Sequence, residues 1–220
     1  MLCTPLACRL AAAGGDWKRP PSTAPSAAID AFRRAAASVL DTLDARRPWF
    51  IKEPRLCLVA RELLPLLTRP VFVHVVRDPF EVADSLAARD RLDRTQALAL
   101  WETYTRAAFA ASRGWPRVLV DYADLVADPI GTSVRLHASL AGFGVAGLSV
   151  PDEATITGWI EPALHRQHNR SARTDVLTDT QRELLAAIGD GRILDPDFAV
   201  EITAMPDFAH TEAASSRAGG

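Results

Sequence analysis

The chain has 220 residues, 48% hydrophobic and 24% charged, which is enough for one domain with a substantial core and too little for two. A formal net charge of −2 supplies no global basic field, so general nucleic-acid binding is disfavoured and any anion site must be local. Cys3, Cys8 and Cys57 are too few and too irregularly spaced for a disulfide framework or a zinc site, so the expectation is a reducing, cytoplasmic compartment and no metal.

Residues 1–25 carry a short helix ahead of Gly14-Gly15 and end in the linker KRPPSTAPS, and are read as an N-terminal remnant or linker. With no basic start and with Arg9 inside its apolar run, this stretch is a poor secretory signal. The main domain is expected over residues 26–190. From Ser26, a suitable cap, to Ala45, the spacing of Ile29, Phe32, Val39, Leu40 and Leu43 predicts an amphipathic helix. Trp49-Phe50-Ile51 reads as a short strand ending at Lys52, and Glu53-Pro54 opens a helix that continues through Leu67. Between Leu56 and Val76 the apolar run is interrupted by Arg61, Glu62, Pro65, Arg69 and Pro70, so no membrane span is expected.

The stretch VFVHVVRDPFEVADS, Val71 to Ser85, organises the rest. Five apolar residues, Val71 to Val76, broken only by His74 suit a strand covered on both faces, as in a parallel sheet. Asp78 can cap the following helix, and Pro79 fits its first turn, where a missing N–H costs nothing. Arg94 to Arg113 is a long helix with Ala97, Leu100, Trp101, Tyr104 and Ala108 on one stripe. Val118-Leu119-Val120 is a third strand, and Asp128-Pro129 starts a helix through Leu140. The order β-α-β-α-α-β argues for an α/β fold, a mainly parallel sheet with helices on both faces. After a turn-rich connection, His165, Arg166, His168 and Arg170 form a basic turn that either closes over a ligand or is solvated. Thr178 to Ile188 is the last helix, and residues 191–220 are expected to be a disordered tail.

Arg77 therefore stands at the carboxyl end of a strand, where open α/β sheets bind ligands, with Ser85 roughly 9 Å along the next helix. An anion held by both lies beside the first two turns, gripped by a guanidinium fork and a hydroxyl more than by the helix dipole. Of 25 basic residues only Lys18 and Lys52 are lysines, which marks Lys52, at a predicted strand end, for a role that an ammonium fills and a guanidinium cannot. Plainer readings stand beside these. Arg77 could pair with Asp78 or Glu81, Ser85 could be helix surface, and Lys52 could pair with Glu53 or Glu62. His74 reads as a hydrogen-bonded core histidine, Tyr122 as packing, and Asp124 as a turn cap.

The segments FIKEPRLCL, VFVHVVRDPFEVADSLAARD and RVLVDYADLVADP together resemble the bacterial branch of the sulfotransferases that use 3′-phosphoadenosine 5′-phosphosulfate (PAPS). That resemblance implies a three-layer αβα, P-loop nucleotide hydrolase-like fold with a mainly parallel sheet. It implies that Arg77 and Ser85 grip the 3′-phosphate, and that Lys52 assists the leaving group, as in the similar segment of tyrosylprotein sulfotransferases. The implied reaction moves a sulfuryl group to a hydroxyl or amine of a small-molecule acceptor, with no metal, nucleic acid or membrane partner. The chain also departs from that pattern. Nothing before Trp49 supplies the strand and Gly/Ser/Thr loop that cradles the 5′-phosphosulfate, and Gly14-Gly15-Asp16-Trp17-Lys18 lacks both the strand and the spacing. The acidic base that follows this loop in some relatives is missing too, and Glu53 stands where relatives carry Asp. The expectation is thus an N-terminally incomplete sulfotransferase. A non-catalytic nucleotide-binding remnant is the alternative, and a P-loop-related kinase a weaker one, because no Walker loop is present.

Overall fold

A computed structural model describes residues 3–20, 24–159 and 176–198. His165, Arg166, His168, Arg170 and residues 199–220 lie outside the described residues.

The amino-terminal third is helical. Helix α1 (Cys3–Ala12) buries Leu6 and Leu10, and its Arg9 forms a buried ion pair with Glu62. Helix α2 (Ser26–Asp44) follows the predicted span and turns Phe32, Ala36 and Leu40, one turn apart, into the interior. Its N-cap is Pro25, and Ser26, expected to be the cap, is instead the first helical residue.

The next two expectations need correction. Among the described residues Trp49-Phe50-Ile51 has no strand partner: Trp49 and Ile51 pack against the core formed by Leu6, Phe32, Leu40, Val59 and Leu63, while Phe50 points out at 87% exposure. Side-chain burial took these residues, and no neighbouring backbone completed a ladder. The helix expected from Glu53-Pro54 to Leu67 is broken into a 3₁₀ turn (Pro54–Leu58), a short α3 (Ala60–Leu63) and a second 3₁₀ turn (Leu64–Leu66). Val59 departs from helical geometry at φ −127°, and Pro65 removes a helical N–H.

Strand β1 (Phe72–Val76) pairs in parallel with β2 (Arg117–Asp121), in a register running from Phe72 opposite Arg117 to Val76 opposite Asp121. The crossover is made by α4 (Pro79–Asp90) and α5 (Arg94–Ala111). Asp78 caps α4 as expected, its Oδ1 accepting from the N–H groups of Phe80 at 2.8 Å and Glu81 at 3.2 Å, with Pro79 in the first turn. Beyond β2 come α6 (Tyr122–Ala127), α7 (Pro129–Gly142), α8 (Glu153–Gly158) and α9 (Asp179–Gly189). Asp121 and Asp128 cap α6 and α7, so the capping assigned to Asp124 falls to its neighbours.

The fold is thus mixed α/β, and its sheet has two strands among the described residues instead of three. Nor is β1 covered on both faces. His74 is buried, but Val73 and Val75 are 41% and 58% exposed. Trp101, Phe109, Leu184 and Ile193 form a core on the His74 side with Val76 and Leu119. Among the described residues the Val73 side of β1 has no such layer. His74 is the hydrogen-bonded core histidine expected, 2.9 Å from the Ser112 hydroxyl and stacked 4.2 Å from the Phe109 ring.

Candidate functional site

Arg77 follows the last residue of β1, and Tyr122 follows the last residue of β2. Because Val76 and Asp121 are register partners, a parallel ladder delivers both side chains to the same end of the sheet. The guanidinium lies over the Tyr122 ring at 4.6 Å, and its Nε donates to Glu81 Oε2 at 2.8 Å. Two contacts from two elements therefore fix the plane and the rotation of the fork. Arg carries five N–H donors, and one is spent on Glu81. Among the described residues the Nη groups have no hydrogen-bond partner, and the side chain stays 25% exposed.

Ser85 lies one turn beyond Glu81 on α4, four residues on, so the two share a helix face. Since Glu81 holds Arg77, the guanidinium sits above the first turn of that face and Ser85 continues it. The structure thus brings Arg77 and Ser85 to one side of α4, and it also realises the plainer reading that Arg77 pairs with Glu81. Tyr122, read from sequence as packing, turns out to be the platform for Arg77. The strand-end register was the signal that could have assigned it.

The electrostatics are economical. Arg77 and Glu81 cancel, and Asp78 already occupies the first N–H groups of α4. An incoming anion would gain little from net charge or helix dipole, and most from directional N–H donation by the Nη groups and from a hydroxyl. That donor set, a guanidinium edge plus a hydroxyl, fits a phosphate monoester such as the 3′-phosphate of PAPS. For a 5′-phosphosulfate the fit is poorer: among the described residues no strand and glycine loop adjoin β1.

Lys52 is placed differently. It is exposed on the unpaired stretch after Ile51, not at a strand end. The surface ion pairs considered for it are not formed either, because Glu53 is engaged by Arg55 at 2.7 Å and Glu62 by Arg9. Among the described residues nothing joins Lys52 to Arg77 or Ser85.

Other reactive groups are accounted for by packing. Burial pushes the Cys57 thiol up to about 12, too high for a nucleophile, and its Sγ donates to the Pro54 carbonyl. Burial, helped by the nearby Arg117 charge, lowers His74 to about 4, so its ring is neutral at pH 7. Among the described residues no group of three or more His, Cys, Asp or Glu side chains is placed to hold a metal ion, and no helix is long and apolar enough to cross a membrane. Comparison with protein-family models, with curated proteins and with solved structures finds no match.

Proposed function

We propose that this protein is a sulfotransferase of the P-loop nucleotide hydrolase-like, three-layer fold, moving a sulfuryl group from PAPS to a hydroxyl or amine of a small-molecule acceptor. The observation that carries this reading is the braced Arg77 at the carboxyl end of a parallel strand pair, its Nη groups without a partner among the described residues, with Ser85 on the helix that follows, α4. In it, Arg77 and Ser85 hold the 3′-phosphate. That phosphate is remote from the bond being broken, so these contacts orient the donor, and orientation converts binding energy into rate. The donor supplies a sulfuryl group, and negative charge gathers on the phosphate oxygen left behind. Lys52 is the cation assigned to that oxygen, where an ammonium stabilises the transition state more than the ground state.

A second reading is a non-catalytic nucleotide-binding remnant. Its support is the exposed position of Lys52 and the lack of a strand before β1 among the described residues. Sulfuryl transfer from labelled PAPS to a panel of phenols, alcohols and amines, run beside calorimetric binding of adenosine 3′,5′-bisphosphate, separates the two. Transfer together with binding supports the sulfotransferase, and binding without transfer selects the remnant. Preference for ATP over the bisphosphate would replace both with a kinase.

A further inference from the structure

Bracing Arg77 uses half of the Glu81 carboxylate. Its Oε2 accepts from Arg77 Nε at 2.8 Å, and its Oε1 has no hydrogen-bond partner among the described residues. The buried side-chain polar atom left without a partner among those residues is Arg9 Nε, so Glu81 Oε1 is open to solvent. The carboxylate side chain is 15% exposed and the guanidinium it holds 25%, which places the free oxygen beside the free Nη groups. The engaged Nε also fixes how an anion approaches. A guanidinium offers either the edge made by Nε and one Nη or the edge made by both Nη groups. Glu81 occupies the first edge, so an anion takes the second and has a carboxylate as its neighbour. A carboxylate paired with arginine is an acceptor only, and two acceptors of like charge repel unless a donor stands between them.

A 3′-phosphorylated ribose carries such a donor in a fixed place, the 2′-hydroxyl on the neighbouring ring carbon. We propose that Glu81 Oε1 accepts a hydrogen bond from the ribose 2′-hydroxyl of the nucleotide whose 3′-phosphate Arg77 holds, so that the site selects ribonucleoside 3′-phosphates over their 2′-deoxy counterparts. This inference rests on the 3′-phosphate reading of Arg77 and Ser85. Each oxygen of the carboxylate then has its own work: Oε2 orients the guanidinium, and Oε1 receives the sugar. Phosphate and ribose are thereby held by one ion pair rooted in the first turn of α4, with Ser85 a turn further along the same face. An acidic side chain that takes a ribose hydroxyl is also how dinucleotide-binding sheets recognise the sugar. A hydroxyl donating to a carboxylate makes a stronger contact than a neutral pair, and its loss leaves the phosphate facing a like charge. The repulsion that Glu81 would bring to a bare anion thus becomes discrimination in favour of a ribonucleotide.

Calorimetric titration of the full chain with adenosine 3′,5′-bisphosphate and with its 2′-deoxy counterpart tests this. Wild type should bind the ribonucleotide at least about tenfold more tightly, the worth of one hydrogen bond to a charged acceptor. The 2′-fluoro analogue, whose fluorine cannot donate, should bind wild type as the 2′-deoxy compound does, a comparison that needs no variant. Glu81→Gln keeps an oxygen for Arg77 Nε and sets an NH₂ group where Oε1 stood. Its preference for the ribonucleotide should fall below about threefold, with an unchanged far-ultraviolet circular dichroism spectrum. Equal binding of the ribo and 2′-deoxy compounds by wild type overturns the inference and leaves the 3′-phosphate reading standing. A 2′-fluoro analogue that binds as tightly as the ribonucleotide does the same, as does a preference that Glu81→Gln retains in full. Failure of wild type to bind any of the three overturns the 3′-phosphate reading itself, and this inference with it.

Discussion

Arg77 and Lys52 are the two cations that the order of the sequence singles out, and the fold treats them oppositely. Arg77 is fixed by a carboxylate from its own helix and by an aromatic ring from the neighbouring strand's end. Lys52 leaves an unpaired stretch, exposed, with its nearest acidic neighbour in sequence held by Arg55. Both were read as strand ends. Only one strand found a partner, and the partner did more than complete a ladder, because its register carried Tyr122 to the guanidinium. A strand end thus becomes a site through what the adjacent strand delivers beside it, and a cation without that neighbour remains a solvated charge until a ligand orders it.

The sharpest way to break this contrast is to truncate both side chains. Arg77→Ala should weaken adenosine 3′,5′-bisphosphate binding by about 100-fold in calorimetry, the loss of two charge-assisted hydrogen bonds. Lys52→Ala should leave that affinity within about twofold and slow sulfuryl transfer by about 100-fold. Equal effects of the two variants on affinity would erase the distinction.

Of comparable size is the acid sensitivity of the strand that carries Arg77. His74 is lowered to about 4 in the folded chain, against 6.5 when exposed. The unfolded chain therefore binds the extra proton between these values, and stability, complete above pH 6.5, is lost as pH falls toward 4. The loss amounts to about 3 kcal/mol. Urea unfolding at pH 7 and pH 4.5 should show most of it, and His74→Phe should remove that share of the pH dependence.

Smaller effects test the bracing itself. Tyr122→Leu should weaken nucleotide binding by about three- to tenfold while Tyr122→Phe, which keeps the ring, should not. Ser85→Ala should cost about fivefold, one hydroxyl contact. If Tyr122→Phe is as damaging as Tyr122→Leu, the hydroxyl matters and the stacking account is wrong.

Much of the fold was legible where local signals agreed. The span of α2, the Asp78-Pro79 start of α4, the long α5 and the last helix, expected over Thr178 to Ile188 and found at Asp179–Gly189, follow from periodicity and capping chemistry. The misses are non-local. A three-residue apolar run such as Trp49-Phe50-Ile51 has the same pattern whether it meets a ladder or a core, and only tertiary packing decides. The unalternating composition of β1 suggested two covered faces, yet Val73 and Val75 are open, because composition does not say how many neighbours a strand has. At the site, Arg77 and Ser85 were visible from strand-end spacing, and Glu81 as the plainer partner. Tyr122 needed the register.

Binding of adenosine 3′,5′-bisphosphate and of adenosine 5′-monophosphate, measured by calorimetry on wild type and Arg77→Ala, tests the account most directly. The braced guanidinium requires that wild type prefer the bisphosphate strongly and that Arg77→Ala lose this preference while binding the monophosphate as before. Wild type that does not discriminate between the two nucleotides, or an Arg77→Ala protein that still does, would contradict it.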